Sequence, residues 1–349
     1  MSEQYLRAAK VSFGGNGKKL EASELRIRFD THQDTTSSPW MINLYIYNLK
    51  KETIQSIREE YKEITLEAGY ESDCGPLFRG QILQVRTFRE NITDVATHVI
   101  ATSAEKARNF AVANKSLSAG HTHNDRVQMA VEAMKEFGVK PGQIDKLSER
   151  KFARGFSYLG DAKSLLREVC FATGARWWIQ DDRIHVVKNG NALKGETYVL
   201  NSTTGLIGLA EQTLDGVVAR CLMNRKLYPG VKVQINEASI TRAAVSPAYL
   251  AEVNNQNLSN NGILGIAADG IYRCELVEHN GDTRGPNWYT EIICVKNDGG
   301  YSPSLLAQGI GSNVDDDQQS LKAATAAQND PSYGTPNYGN TDPSVKGPR

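Results

Sequence analysis

Two long stretches of this chain alternate apolar and polar residues one by one, and the stretch between them does not. Any fold must satisfy that order of periods, two, then about 3.6, then two again. In the first stretch Leu25, Ile27 and Phe29 alternate with Arg26, Arg28 and Asp30, and Ile42, Leu44 and Ile46 with Asn43, Tyr45 and Tyr47. Ile64, Leu66 and Ala68 make a third run, Leu83 and Val85 belong to a fourth, and Val95, Val99 and Ala101 to a fifth. Between the second and third, Lys51 to Glu60 has apolar residues only at Ile54 and Ile57, the spacing of a short helix lying over a sheet. Several strands with turn signals between them predict a small closed or nearly closed barrel over residues 1–103.

The period then changes. Thr122 to Asp125 supplies N-caps, and Val127, Ala130, Val131, Met134 and Phe137 follow at helical spacing until Gly138 and the Pro141-Gly142 break. A second helix is predicted from Asp161, burying Ala162, Leu165, Leu166 and Val169, with Gly174 closing it. A tight hairpin follows, Arg176 to Gln180 and Arg183 to Val187 about Asp181-Asp182. Residues 104–195 therefore read as an α+β module.

Strand period returns over residues 196–298. Val217 to Met223 is apolar apart from Arg220, and Val231, Val233 and Ile235 alternate with Lys232 and Gln234. Tyr272, Cys274 and Leu276 alternate with Arg273 and Glu275, while Trp288, Ile292 and Cys294 share one face of a partner run, opposite Tyr289 and Glu291. His279 to Asn287 lies between them and includes Asn280-Gly281 and Pro286, which predicts a hairpin with a protruding, ordered tip. The predicted fold is mainly β, two small β-barrels flanking a helix-plus-hairpin insert. Residues 299–349 are rich in Gly, Pro, Ser, Asn and Asp, and from Asp298 onward six Asp face only Lys322, Lys346 and Arg349. They read as an extended or disordered tail in which only Leu321 to Gln328 leans helical.

The formal net charge of +0 argues against a nucleic-acid or anionic membrane partner drawn in by long-range charge. Neither a targeting leader nor an apolar run of membrane-spanning length is present. Cys74, Cys170, Cys221, Cys274 and Cys294 are widely spaced and form no CxxC pair, which fits free thiols made in a reducing cytoplasm. His121-x-His123 is the one His pair at ligand spacing, but no Cys completes a zinc set, so no metal is expected. Phe13-Gly14-Gly15-Asn16-Gly17-Lys18-Lys19 fails as a phosphate loop, because Lys19 stands where Ser or Thr is needed, and reads as a hairpin turn. Asp315-Asp316-Asp317 lacks the alternation of a calcium loop. No GxSxG, HExxH or Cys-His constellation supports an enzyme, and no cofactor is expected. Trp177-Trp178 sends one ring to each face of a strand, so one should be core and Trp178 an exposed interface residue. Tyr333 and Tyr338, in the near-repeat Pro-x-Tyr-Gly, are candidate anchors of the tail on a partner, and Asp282 and Arg284 are candidate interaction residues at the hairpin tip.

Leu25 to Asp30, Leu44 to Leu49 with Thr53 to Glu60, Ala68-Gly69-Tyr70 and Phe78-Arg79-Gly80 together resemble the opening of a phage tail or baseplate hub protein. Leu165 to Val187 is similar to the small inserted domain of those hubs, and Thr204 to Gly208 with the Gly281 to Gly285 tip is similar to their second barrel. The resemblance spans roughly residues 10 to 297. It implies a structural protein of the virion tail tip, assembled in the host cytoplasm. Three chains, each with two barrels, would form a homotrimeric pseudo-sixfold ring joining the sixfold tail tube, or a distal tube protein, to a threefold central spike or fibre. Other baseplate proteins would surround it, and a genome could pass through its lumen without sequence-specific contact. The competing expectations are a tail-associated cell-wall hydrolase and a carbohydrate-binding β module using exposed Trp40, Trp177 or Trp288.

Overall fold

The computed structural model describes residues 6–15, 18–213, 216–235, 240–242 and 270–296. The expectations for the tail, Tyr333 and Tyr338 included, lie outside the described residues. Two strands precede the first predicted run: β1 (Arg7–Gly15) and β2 (Lys18–Ala22) pair antiparallel with Gly15 opposite Lys18, as a hairpin turn there requires. β3 (Ile27–Asp34), β4 (Met41–Tyr47), β5 (Glu63–Tyr70), β6 (Asp73–Arg89) and β7 (Val95–Thr102) follow, with helix α1 (Lys51–Glu59) burying only Ile54 and Ile57. Their hydrogen-bonded order is β3-β4-β7-β6-β5-β1-β2, all antiparallel. This sheet wraps a core of Val11, Phe13, Ile27, Phe29, Ile42, Leu44, Ile64, Leu66, Phe78 and Val99. Leu83 is an exception: a register shift between Ile82 and Gln84 turns it outward, and it is exposed.

The middle region builds a second core. Helix α2 (Glu105–Phe110) and strand β8 (Val112–Leu117) lead to α3 (His123–Lys135), whose N-cap Thr122 exchanges hydrogen bonds with Asp125 in a capping box. Strands β9 (Lys140–Ile144) and β10 (Phe156–Asp161) precede α4 (Ala162–Thr173), which ends on Gly174 in the left-handed region at φ 61°. The predicted hairpin is β11 (Ala175–Gln180) and β12 (Arg183–Lys188), with Asp181 and Asp182 at φ 46° and 58°. Val127, Ala130, Val131, Met134, Leu165, Leu166, Val169, Trp177, Ile179 and Ile184 fill this core.

Strands β13 (Thr197–Leu200), β14 (Leu206–Thr213), β15 (Gly216–Leu222), β16 (Lys232–Ile235), β17 (Ile240–Arg242), β18 (Ile271–Asp282) and β19 (Trp288–Lys296) surround a third core that includes Val217, Ala219, Val233, Tyr272, Val277 and Ile292. β18 pairs with β16, β19 and, from Leu276 to Asp282, with β3. The two barrel regions are therefore parts of one continuous sheet.

Two expectations for β18 need correction. A register shift between Cys274 and Leu276 reverses the parity of the strand, so Val277 and His279 point inward after it and Leu276 is only half buried. On the near side of the shift both faces are covered, and Arg273 and Glu275 are as buried as Tyr272 and Cys274. The hairpin tip does not protrude; seven residue pairs between β18 and β3 lay it along the first barrel.

Candidate functional site

The site is the place where the three cores meet, and Glu275 is its centre. The β18 bulge aims this carboxylate inward, at 1% exposure, toward groups from every region. Arg176, at the head of β11, reaches it from the middle region at 2.5 and 2.6 Å. Arg273, two residues back on the same strand, donates from Nε at 2.7 Å. Thr35, just past β3, donates its hydroxyl to Oε2, and its backbone N–H donates to the Glu275 carbonyl at 3.0 Å. The Asn191 carbonyl accepts from Arg176 at 3.0 Å and from Arg273 at 3.3 Å. Burial pushes the Glu275 carboxyl up, but the two guanidinium groups and the Thr35 hydroxyl outweigh it and hold the group below the usual carboxylate range. A buried charge is tolerated only when paired and hydrogen-bonded in this way.

A second clamp closes on the loop from Asp34 to Trp40. Arg108 of α2 donates to the carbonyls of Ser37 and Ser38, the latter at 3.0 Å, and its guanidinium lies 5.1 Å from the Trp177 ring centre. Burial lowers Arg108 to about 10, which leaves it charged at neutral pH. Trp40 Nε1 donates to the Asp34 carbonyl at 2.8 Å, fixing the other end of the loop. Both tryptophans of β11 are buried, Trp177 in the second core and Trp178 in the first, so Trp178 is not the exposed residue expected of it. Its interface is internal, between the middle region and the first barrel.

The hairpin tip is the third element. Arg26 grips Asp282 with two hydrogen bonds, 2.6 Å from Nη2 and 3.1 Å from Nε. Arg7 donates to the carbonyls of Gly285 at 2.5 Å and Asp282 at 3.2 Å, and Thr283 exchanges hydrogen bonds with the Ile27 backbone in both directions. Burial pushes the Asp282 carboxyl up, but Arg26 and the Arg284 backbone N–H bring it below its ordinary value. Asp282 is thus committed within the chain. Arg284 is exposed and donates to the Glu24 carbonyl at 3.2 Å. A Cβ at position 281 would collide with the Phe29 ring, so only glycine lets β18 pass this close to β3.

This arrangement positions; it does not activate. Its carboxylates are held by arginines, Glu275 by Arg176 and Arg273 and Asp282 by Arg26. A cleft of about 220 Å³ between Tyr70, Asp73, Tyr198, Arg225 and Lys226 is bridged by Asp73 ion pairs to both cations, at 2.5 and 3.5 Å. Among the described residues no group of His, Cys, Asp and Glu could hold a metal ion. All five cysteines are free, and Cys274 and Cys294 lie 3.5 Å apart, sulfur to sulfur, in the third core. Trp40, Trp177 and Trp288 are all buried, which removes the stacking platforms a carbohydrate-binding reading requires. No helix among the described residues is long and apolar enough to cross a membrane.

Residues 41–259, more than half of the chain, match the family described as baseplate hub gp41. The chain belongs to the baseplate hub gp41 family. This hub is a structural, non-enzymatic component of the virion tail baseplate. No curated protein matches the sequence. Among solved structures, the tail protein from Neisseria meningitidis MC58 is similar over 84% of this chain and 97% of its own, with 11% identity and a TM-score of 0.51, which shows a shared fold. A 43 kDa tail protein of prophage MuSo2 from Shewanella oneidensis aligns over 84% of this chain and 99% of its own, with 8% identity and a TM-score of 0.46. An E. coli type VI secretion component aligns over 80% of this chain and 76% of its own, with 11% identity and a TM-score of 0.48.

Sequence reasoning missed Arg176, Thr35, Glu275, Arg108, Arg26 and Arg7. Arg273 and Glu275 have the spacing of a solvent-facing row, and nothing local distinguishes a charge turned to water from one turned to a neighbouring core. The one available signal is Arg176 next to two tryptophans, a cation in an apolar run.

Proposed function

We propose that three copies of this hub close into a pseudo-sixfold ring that joins the sixfold tail tube, or a distal tube protein, to a threefold central spike or fibre. One observation carries the reading: each chain presents two sheet-wrapped cores on one continuous sheet, coupled by the β3–β18 pairing. Three such chains offer six barrels to the tube side while keeping threefold symmetry toward the spike. In this reading residues 1–103 and 196–298 are the two barrel domains, 104–195 the inserted domain, and 299–349 an extended tail. Tyr333 and Tyr338 anchor the tail on the spike or a neighbouring hub chain, and exposed Arg284 remains available at the barrel junction. A formal net charge of +0 suits a part that meets protein on several sides and lets a genome pass.

Light scattering of the purified chain over a concentration series, alone and with the spike protein, tests this directly. A trimeric mass in either sample is expected. A monomer in both, or particles with another rotational order, would end the proposal.

A further inference from the structure

The middle region carries a cationic surface that the hub's internal clamps leave unused. Arg126, on the first turn of α3, donates from Nε and Nη2 to His121 Nε2 at 3.2 and 3.1 Å. Its guanidinium lies 4.1 Å from the Phe152 ring centre and 3.9 Å from that of Phe156. Arg150 approaches the same Phe152 ring at 5.9 Å, and exposed Lys151 and Arg154 flank it in the chain. Among the described residues no carboxylate lies within ion-pair distance of Arg126, Arg150, Lys151 or Arg154. The neighbouring acids are already engaged: Asp125 closes the capping box with Thr122, and Glu149 pairs with Lys146 at 2.5 Å. Glu168 of α4 acts on Arg126 only through space. Burial lowers the His123 imidazole, and Arg126 and Arg150 lower it further, as expected beside uncompensated positive charge.

The surface suits carboxylates better than nucleic acid. Phe152 is stacked by His121 at 4.8 Å and 15°, and it also carries Arg126, so its ring is not open to a base. A complementary segment exists in the same chain. From Asp298 to Ser320 there are four aspartates, Asp298, Asp315, Asp316 and Asp317, and no lysine or arginine. Lys296 ends the last described strand, and Asp315 lies nineteen positions further along the chain. An extended chain of that length spans about 65 Å. A folded body of this size is only about 50 Å wide. Running around such a body, the segment reaches all of its surface except the face directly opposite the end of β19.

We propose that the surface formed by Arg126, Arg150, Lys151 and Arg154 is the docking site for the acidic run Asp315, Asp316 and Asp317 of this chain. Such docking would fix the start of the tail on the middle region, independently of whether the hub closes as a trimer.

Carbodiimide cross-linking of the full chain at low ionic strength, followed by peptide mapping, tests it. The expected product joins Lys151 to the acidic run, and its yield falls about fivefold or more at high salt, where exposed charges are screened. The same fall is expected in Arg150→Gln/Arg154→Gln, a variant that changes only exposed side chains and should keep the parent melting temperature. Cross-links from the run only to lysines elsewhere, or an undiminished Lys151 product in the variant, would overturn the assignment. So would retention of a duplex oligonucleotide by the parent that the variant loses, which would make the surface a nucleic-acid site.

Discussion

Trp177 and Trp178 are adjacent on β11 and lie in different hydrophobic cores. The two faces of one strand thereby tie the middle region to the first barrel through apolar packing, beside the charged tie at Glu275. Relative movement of the two regions would have to withdraw a fully buried indole.

Trp178→Ala should therefore do more than destabilise one core. A loss of about 3–5 kcal/mol is expected from deleting a fully buried tryptophan. Calorimetry should show the middle region melting separately from the barrels. A single sharp transition shifted to lower temperature would mean that the charged tie alone keeps the regions coupled.

The Glu275 cluster makes an asymmetric prediction. Arg176→Met removes one of two arginines facing a buried carboxylate and should cost about 3 kcal/mol or more by urea denaturation. Adding Glu275→Gln in the same chain should recover part of that loss, because the charge left without its partner is also removed. A double variant as unstable as the sum of the singles would show that the groups act independently.

At the hairpin tip, Asp282→Asn keeps the shape and loses the charge. Arg26 is then left with a neutral partner, and a cost of about 1–3 kcal/mol is expected. Hydrogen exchange of the amides from Thr283 to Asn287 should accelerate while that of α3 stays unchanged. Equal acceleration in both would refute a local anchoring role.

Acid should weaken the hub before its carboxylates titrate. His279 is buried between β3 and β19, hydrogen-bonded to Thr290, and burial lowers it to about 3. The unfolded chain takes up that proton near pH 6.5 and the folded chain does not, so stability falls as pH drops through 6.5 toward 3. The slope from one such group is about 1.4 kcal/mol per pH unit. His185, lowered to about 4 by burial, acts in the same direction, while His32, raised by Glu278, acts in the opposite one. His279→Gln should flatten the pH dependence of urea midpoints between pH 4 and 6; an unaltered slope would assign the effect elsewhere.

What the sequence made legible was local. The N-cap within Thr122 to Asp125, the Gly174 stop and the Asp181-Asp182 turn each depend on residues a few positions apart, and all three are where their chemistry placed them; the structure adds that Thr122 and Asp125 close a capping box. The helix ends at Lys135, ahead of Gly138 at φ 87°, and Pro141-Gly142 lies beyond it within β9, an edge strand of the three-stranded sheet, where a missing N–H does no harm. The β18 parity change was hidden, because a bulge is one added residue in a run that alternates well on either side of it. The candidate site was hidden for a related reason. Glu275 meets Thr35 across 240 residues and Arg176 across 99, and such separations leave no trace in local spacing.

The β3–β18 seam also has a mechanical meaning. Its seven residue pairs lie side by side along the strands, so a pull along the strand direction strains their hydrogen bonds together, not one after another. A joint loaded in shear resists far more than one peeled open from an end. Thrust arriving at either barrel would pass into the other through this seam, with the Arg26–Asp282 clasp guarding the end where peeling would otherwise begin.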